Sequence, residues 1–251
     1  MAAQRVVIVG ASTGLGRSLA IGLARRGTQV ALLARNEELL ASAAEEAGSS
    51  AFAVRCDATD PEAARAAIGE AAERLGGIDA LVYAAGVGGL ARIEDVDVDT
   101  WQRTFATNVI GASLVTTAAL AHLQASDGIA VYLSSVSASM TLPWPGLGAY
   151  AVTKAALDKL VEVWRSEHPE VGFTRLVVGE CGGGEGPAQS QFTASWDREL
   201  AGEMYPTWTA RGLLTDKLMD VEHFIDGVVG VLGCGSTMSI PNVVLAPRRP
   251  I

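Results

Sequence analysis

Seven short apolar runs punctuate the chain: "RVVIVG" (5–10), "QVALLAR" (29–35), "AFAVRCD" (51–57), "IDALVYAAG" (78–86), "GIAVYLSS" (128–135), "FTRLVVG" (173–179) and "NVVLAP" (242–247). Longer stretches with helical spacing separate them. In the first, Leu15, Leu19 and Leu23 recur four apart, line one helix face and stop at Gly27. Regular alternation of strand and helix predicts a doubly wound α/β fold, in which a parallel sheet of about seven strands is covered by helices on both faces. No internal repeat occurs, and no linker before residue 178 is long enough to divide the chain. A single domain over 1–251 is expected. The glycine-rich "GECGGGEGP" (179–187) is read as the start of a loop over the site, within a lid at about 180–215.

Composition narrows the function classes. With 251 residues, 49% hydrophobic and 19% charged, the chain can bury a core of its own. Its formal charge of −9 disfavours nonspecific attraction to nucleic acid or an anionic membrane, so a small molecule is the expected partner. Cys56, Cys181 and Cys234 are too scattered for a disulfide framework or a zinc site, and His122, His168 and His223 show no ligand spacing; no metal is expected. The opening "MAAQRVVIVGASTGLG" has no signal-peptide cleavage pattern and no stretch reaches the length of a membrane span, so the expected compartment is the cytoplasm.

Candidate chemistry begins where the first strand meets its helix. "GASTGLG" sets Gly10 for a tight turn, Gly14 for close backbone approach to a pyrophosphate, and Gly16 for helix-to-strand packing. The helix N-terminus adds free N–H groups and a positive dipole end. Dinucleotide sites that bind the adenosine ribose hydroxyls carry Asp or Glu about 20 residues further on. Here the second strand ends in Ala34 and Arg35, and a guanidinium there favours a 2′-phosphate, hence NADP over NAD. A solvated arginine at a strand end has the same sequence. Asp57 suits either the adenine amino group or a cap on the following turn.

A second cluster is "YAVTK", with Tyr150 and Lys154 four apart on one helix face. Taken with "GASTGLG", "CD" at 56–57, "AAG" at 84–86, "NVIG" at 108–111 and "LSSVSA" at 133–138, in that order, it gives a chain that resembles the short-chain dehydrogenase/reductase family in its single-domain, Rossmann-type form. The resemblance covers nearly the whole length. It implies a catalytic set of Asn108, Ser135, Tyr150 and Lys154, and a cofactor site of Gly10, Ser12, Thr13, Gly14, Leu15, Gly16, Arg35, Asp57, Ala85 and Gly86 together with Tyr150 and Lys154. Tyr150 is the implied general acid/base, Ser135 the holder of the substrate oxygen, Lys154 a ligand of the nicotinamide ribose, and Asn108 the support of a water relay. An ammonium at ~4 Å and an effective dielectric near 20 is worth about 4 kcal/mol, enough to take roughly three units off a phenol near 10. Ser135 stands fifteen residues before Tyr150 where the family has about a dozen; it is preferred because it ends a strand, with Ser134 and Ser137 as alternatives.

Two segments depart from the family. Tyr83-Ala84-Ala85-Gly86 replaces an asparagine-rich turn, removing an amide that braces the sheet, and "VVGECGGGEGP" replaces the Pro-Gly and Thr that clamp the nicotinamide amide. Cys181 falls in the second, as a small loop residue or a neighbour of the nicotinamide. Beyond it, Phe192, Trp196, Tyr205 and Trp208, with Trp144 earlier, suggest a pocket for an apolar or aromatic carbonyl or alcohol, although packed lids and subunit contacts also use such rings. The resemblance further implies a homodimer or homotetramer. The leading expectation is an NADPH-dependent oxidoreductase. The alternatives are a non-catalytic NADP(H)-binding regulator or sensor, and a structural subunit without cofactor.

Overall fold

A computed structural model describes residues 4–182, 189–214 and 217–248. Seven strands, β1 (Arg5–Val9), β2 (Gln29–Ala34), β3 (Ala51–Arg55), β4 (Ala80–Tyr83), β5 (Ile129–Ser135), β6 (Gly172–Val178) and β7 (Asn242–Leu245), form one sheet in the order β3-β2-β1-β4-β5-β6-β7. Every neighbouring pair is parallel. The order reverses between β1 and β4, so connections leave to opposite faces there and open a crevice at the carboxyl ends of the strands.

Strand alternation divides the interior in two. Val6, Ile8, Val30, Leu32, Val82 and Val131 face α1 (Gly14–Arg25), α2 (Glu37–Ala47) and α9 (Val221–Leu232). Val7, Val9, Leu33, Leu81 and Tyr132 face α3 (Pro61–Leu75), α5 (Gly111–Ala125) and α7 (Gly148–Glu167). Both faces are therefore apolar, which is why the strands read as unbroken hydrophobic runs. Helix starts are fixed locally: Asn36 accepts from the Leu39 N–H at 3.0 Å, and Asp60 caps α3 ahead of Pro61, its first residue.

A third cluster stands apart from the sheet. Leu90, Leu147, Met204, Trp208 and Leu213 pack with Trp144, Phe192 and Trp196 around α8 (Arg198–Ala210). The aromatic run of the sequence thus packs on itself as well as facing the crevice. Of the glycine-rich segment 179–187, residues 183–187 lie outside the described residues.

One sequence expectation needs correction. α4 (Val98–Phe105), a π turn (Ala106–Ile110) and α5 run on as a single helix, Val98–Ala125, whose most apolar 18-residue stretch, at mean hydropathy 1.4, is long and apolar enough by length and composition to cross a membrane. Small and hydroxylated residues such as Thr104, Thr107 and Thr116 broke the apolar run on which the expectation relied. In the fold this helix is a core element, with Ala112, Val115, Ala119 and Leu123 fully buried against the sheet and α3.

Candidate active site

The crevice holds a cavity of about 970 Å³. At one end lies the glycine turn. Gly10 has φ +85°, and a Cβ there would stand 2.5 Å from the Ala85 nitrogen; a Cβ on Gly16 would fall on the Gly10 carbonyl oxygen. Both residues are glycine because the turn and the loop after β4 touch backbone to backbone. α1 then begins without a side-chain cap at Thr13, and Ser12, Thr13, Gly14 and Leu15 at its start line the cavity. This is a surface shaped for a phosphate group. Behind it, buried Arg17 binds Glu46 at 2.9 Å, Ser42 at 3.1 Å and the Leu39 carbonyl at 3.2 Å, tying α1 to α2. Sequence reasoning passed over Arg17; its signal was a charge between the inward-facing Leu15 and Leu19.

Arg35 is exposed at the end of β2 and lines the cavity, as does Asp57 beyond β3. One Asp57 oxygen accepts from both the Thr59 N–H (3.0 Å) and hydroxyl (2.7 Å), so the capping reading of this residue is realised. Burial raises its pKa, but the Thr59 bonds and the nearby Arg35 and Arg55 outweigh it and hold the carboxylate below its ordinary range.

At the other end, Ser135 closes β5 while Tyr150 and Lys154 project from the first turns of α7. Ser135 lies beside Tyr150 and 2.9 Å from the Ser137 hydroxyl. Strand alternation turns Ser134 the other way, toward Asp158. The structure thus brings together Ser135, Ser137 and Tyr150, with Ser134 also on the cavity lining.

The electrostatic expectation for the Tyr150/Lys154 pair is overturned. Burial pushes the Tyr150 phenol up to about 12, with the neighbouring Ser135 hydroxyl only partly offsetting it. Burial also pushes Lys154 down to about 8 against the opposing pull of Asp158. The reason is geometric: the Lys154 ammonium donates to the Leu133 carbonyl at 2.7 Å and lies 5.8 Å from the centre of the Tyr150 ring. Desolvation is the largest cause of each shift, and neither group stands among the causes of the other's.

Asn108 sits fully buried in the π turn. Its Oδ1 accepts from the Val87 N–H at 2.8 Å, and its Nδ2 donates to the Val87 carbonyl and the Thr153 hydroxyl, each at 2.9 Å. It therefore fixes the loop after β4 to α7 without lining the cavity. Gly86 leaves the space beside it: an added Cβ would lie 3.3 Å from Lys154 Nζ. The missing amide brace is also supplied differently, by the buried Tyr83 hydroxyl, which donates to the Thr107 carbonyl of the π turn at 2.6 Å. Cys181 lines the cavity, and burial pushes its thiol up to about 11, so it is no thiolate at neutral pH.

The family model for "short chain dehydrogenase" matches residues 4–194. The chain belongs to the short chain dehydrogenase family. Among its relatives, 11-beta-hydroxysteroid dehydrogenase A of Sesamum indicum is 36% identical over 185 residues, covering 71% of this chain and 53% of that protein. L-rhamnose 1-dehydrogenase (NAD(P)(+)) of Sphingomonas sp. is 33% identical over 165 residues, 63% of this chain and 64% of its own. The chain thus spans between about half and two thirds of the length of these curated relatives. A short-chain type dehydrogenase/reductase from Mycobacterium marinum superposes with a TM-score of 0.83 at 25% identity, covering 97% of this chain and 94% of that one.

Proposed function

We propose that this chain is an NADPH-dependent carbonyl reductase, reversible toward alcohol oxidation, built as one dinucleotide-binding domain with a lid at about 180–215. The observation that carries the reading is that the glycine turn and the Ser135/Tyr150/Lys154 group open into one cavity of about 970 Å³. Gly10 and Gly16 let the turn and the loop after β4 meet backbone to backbone, and Gly86 leaves room beside Lys154, which fits a dinucleotide-binding turn. When bound, that dinucleotide supplies or accepts the hydride.

The chain's own residues do the rest. Gly14, Leu15 and the start of α1 hold the pyrophosphate, Arg35 the 2′-phosphate, and Asp57 and Ala85 the adenosine side. Ser135 holds the substrate oxygen next to the Tyr150 hydroxyl. Tyr150, protonated at neutral pH because of its raised pKa, gives its proton to that oxygen during reduction. Lys154 positions the nicotinamide ribose and returns a proton to Tyr150, a role its pKa of about 8 suits. Asn108 is a positioning residue, holding the Val87 loop against α7. Exposed Ile110, Val152 and Val163 on the outer helices support a homodimer or homotetramer, and three free cysteines fit a reducing compartment such as the cytoplasm.

The test is NADPH oxidation over a panel of aromatic and aliphatic ketones, for wild type, Tyr150→Phe and Arg35→Ser, with NADH as control. Turnover should fall about 10²–10⁴-fold in Tyr150→Phe with NADPH binding retained, and Arg35→Ser should lose its preference for NADPH. Tight NADPH binding without turnover of any ketone would favour the sensor reading.

A further inference from the structure

We infer that Phe192 is the specificity-determining residue at the substrate end of the cavity, and that its ring, seated over Gly88 against Tyr150, restricts the site to carbonyl compounds that are flat beside the carbonyl carbon. This rests on the carbonyl-reductase reading above. The Phe192 and Tyr150 rings meet edge to face with centroids 4.8 Å apart. A Cβ added to Gly88 would lie 2.7 Å from Phe192 Cε2, 2.8 Å from its Cζ and 3.2 Å from Tyr150 Cβ. The absent side chain of Gly88 is therefore the seat of the Phe192 ring.

One side of the half-buried ring is walled. Behind it stands Trp196, at 5.6 Å between centroids, and behind that Trp208 at 5.8 Å. Trp208 is 1% exposed and its indole N–H donates to the Pro145 carbonyl at 2.8 Å, so this wall is fixed. On the other side the Phe192 N–H donates to the Ser190 hydroxyl at 3.3 Å, and Ser190 rests 3.3 Å from the point where a Gly14 Cβ would stand. The strap 190–192 thus runs from beside the glycine turn to Tyr150. A flat ketone can lie along the ring at the usual contact distance of about 3.5–4 Å. A quaternary carbon beside the carbonyl projects methyl groups to both sides of that plane and meets the ring.

The experiment compares acetophenone with 2,2-dimethylpropiophenone in wild type, Phe192→Ala and Gly88→Ala. It reads kcat/KM with NADPH and, independently of turnover, calorimetric binding of each ketone to the NADP⁺-loaded protein, which has no hydride to give. Wild type should favour acetophenone by about tenfold or more, and Phe192→Ala should shrink that ratio by about tenfold, mainly through a lower KM for the branched ketone. Gly88→Ala should push the ring further over Tyr150 and weaken both ketones. A general loosening of the lid would weaken both ketones alike in Phe192→Ala and leave the ratio unchanged. An unchanged ratio in both readouts, or failure of wild type to bind acetophenone, overturns the inference. A binding ratio that shifts as expected without turnover of either ketone upholds Phe192 as the gate and refutes the reductase reading, so the two failures are distinguishable.

Discussion

Replacing Lys154 by Met should make the protein more stable while removing its activity. The Lys154 side chain is 4% exposed, and burial brings its pKa from 10.5 to about 8. At about 1.4 kcal/mol per unit, carrying the proton costs the fold about 3 kcal/mol at neutral pH. Methionine fills a similar volume without charge, and Asp158 keeps Arg175 as a partner at 3.3 Å. The substitution forfeits the bond to the Leu133 carbonyl, worth about 1 kcal/mol. A net gain of about 2 kcal/mol is expected near pH 7.

The pH dependence separates this reasoning from better packing. The folded pKa lies below the unfolded one, so the penalty on wild type is complete below about pH 8, fades as pH rises, and is gone by about 10.5. The advantage of Lys154→Met should shrink through that window and turn into a deficit of about 1 kcal/mol above it. Urea unfolding of both proteins at about pH 7 and about pH 10.5 measures the gap, because titrations common to both cancel in the difference. A variant less stable than wild type near pH 7, or a gap equal at both pH values, would refute the argument.

Two further outcomes follow from buried phenols. With Tyr150 pushed up to about 12, ketone reduction should be flat across the neutral range while alcohol oxidation keeps rising with pH to at least about 10; an oxidation plateau near pH 7, read from kcat/KM profiles, would contradict the raised pKa. Tyr83→Phe should lower stability by about 1–3 kcal/mol in denaturant unfolding, because it leaves the buried Thr107 carbonyl without the hydroxyl that bonds it at 2.6 Å; no loss would mean that water replaces the bond.

The parts of this molecule that were legible in the sequence are those set by local geometry. Glycines at 10 and 16 are demanded by a positive φ and by backbone contact, and such demands leave a mark at the residue itself. The unbroken apolar strands announce a sheet covered on both faces, and all seven were placed where they occur. A four-residue spacing on a helix likewise put Tyr150 and Lys154 on one face. What that spacing could not convey is the direction in which the ammonium points. The Leu133 carbonyl, from a strand twenty-one residues away, takes the Lys154 proton donor, and the depth of the site then decides both pKa values.

Similar long-range pairings explain the other departures. Tyr83 stands where the family has an amide, and only the π turn passing over it, with Gly111 leaving room for its hydroxyl, shows that a phenol performs the bracing. Gly88 in isolation looks like one more loop glycine; its purpose depends on Phe192, 104 positions later. Both pairs match a missing side chain in one segment to a ring from another, which periodicity along the chain does not record. The architecture and the Tyr150/Lys154 pair are therefore written locally, whereas the proposed substrate wall is written in pairs. Substitutions at Phe192 and Gly88 should accordingly change which carbonyl compounds enter, and substitutions at Gly10, Gly16, Tyr150 and Lys154 should change whether any of them reacts.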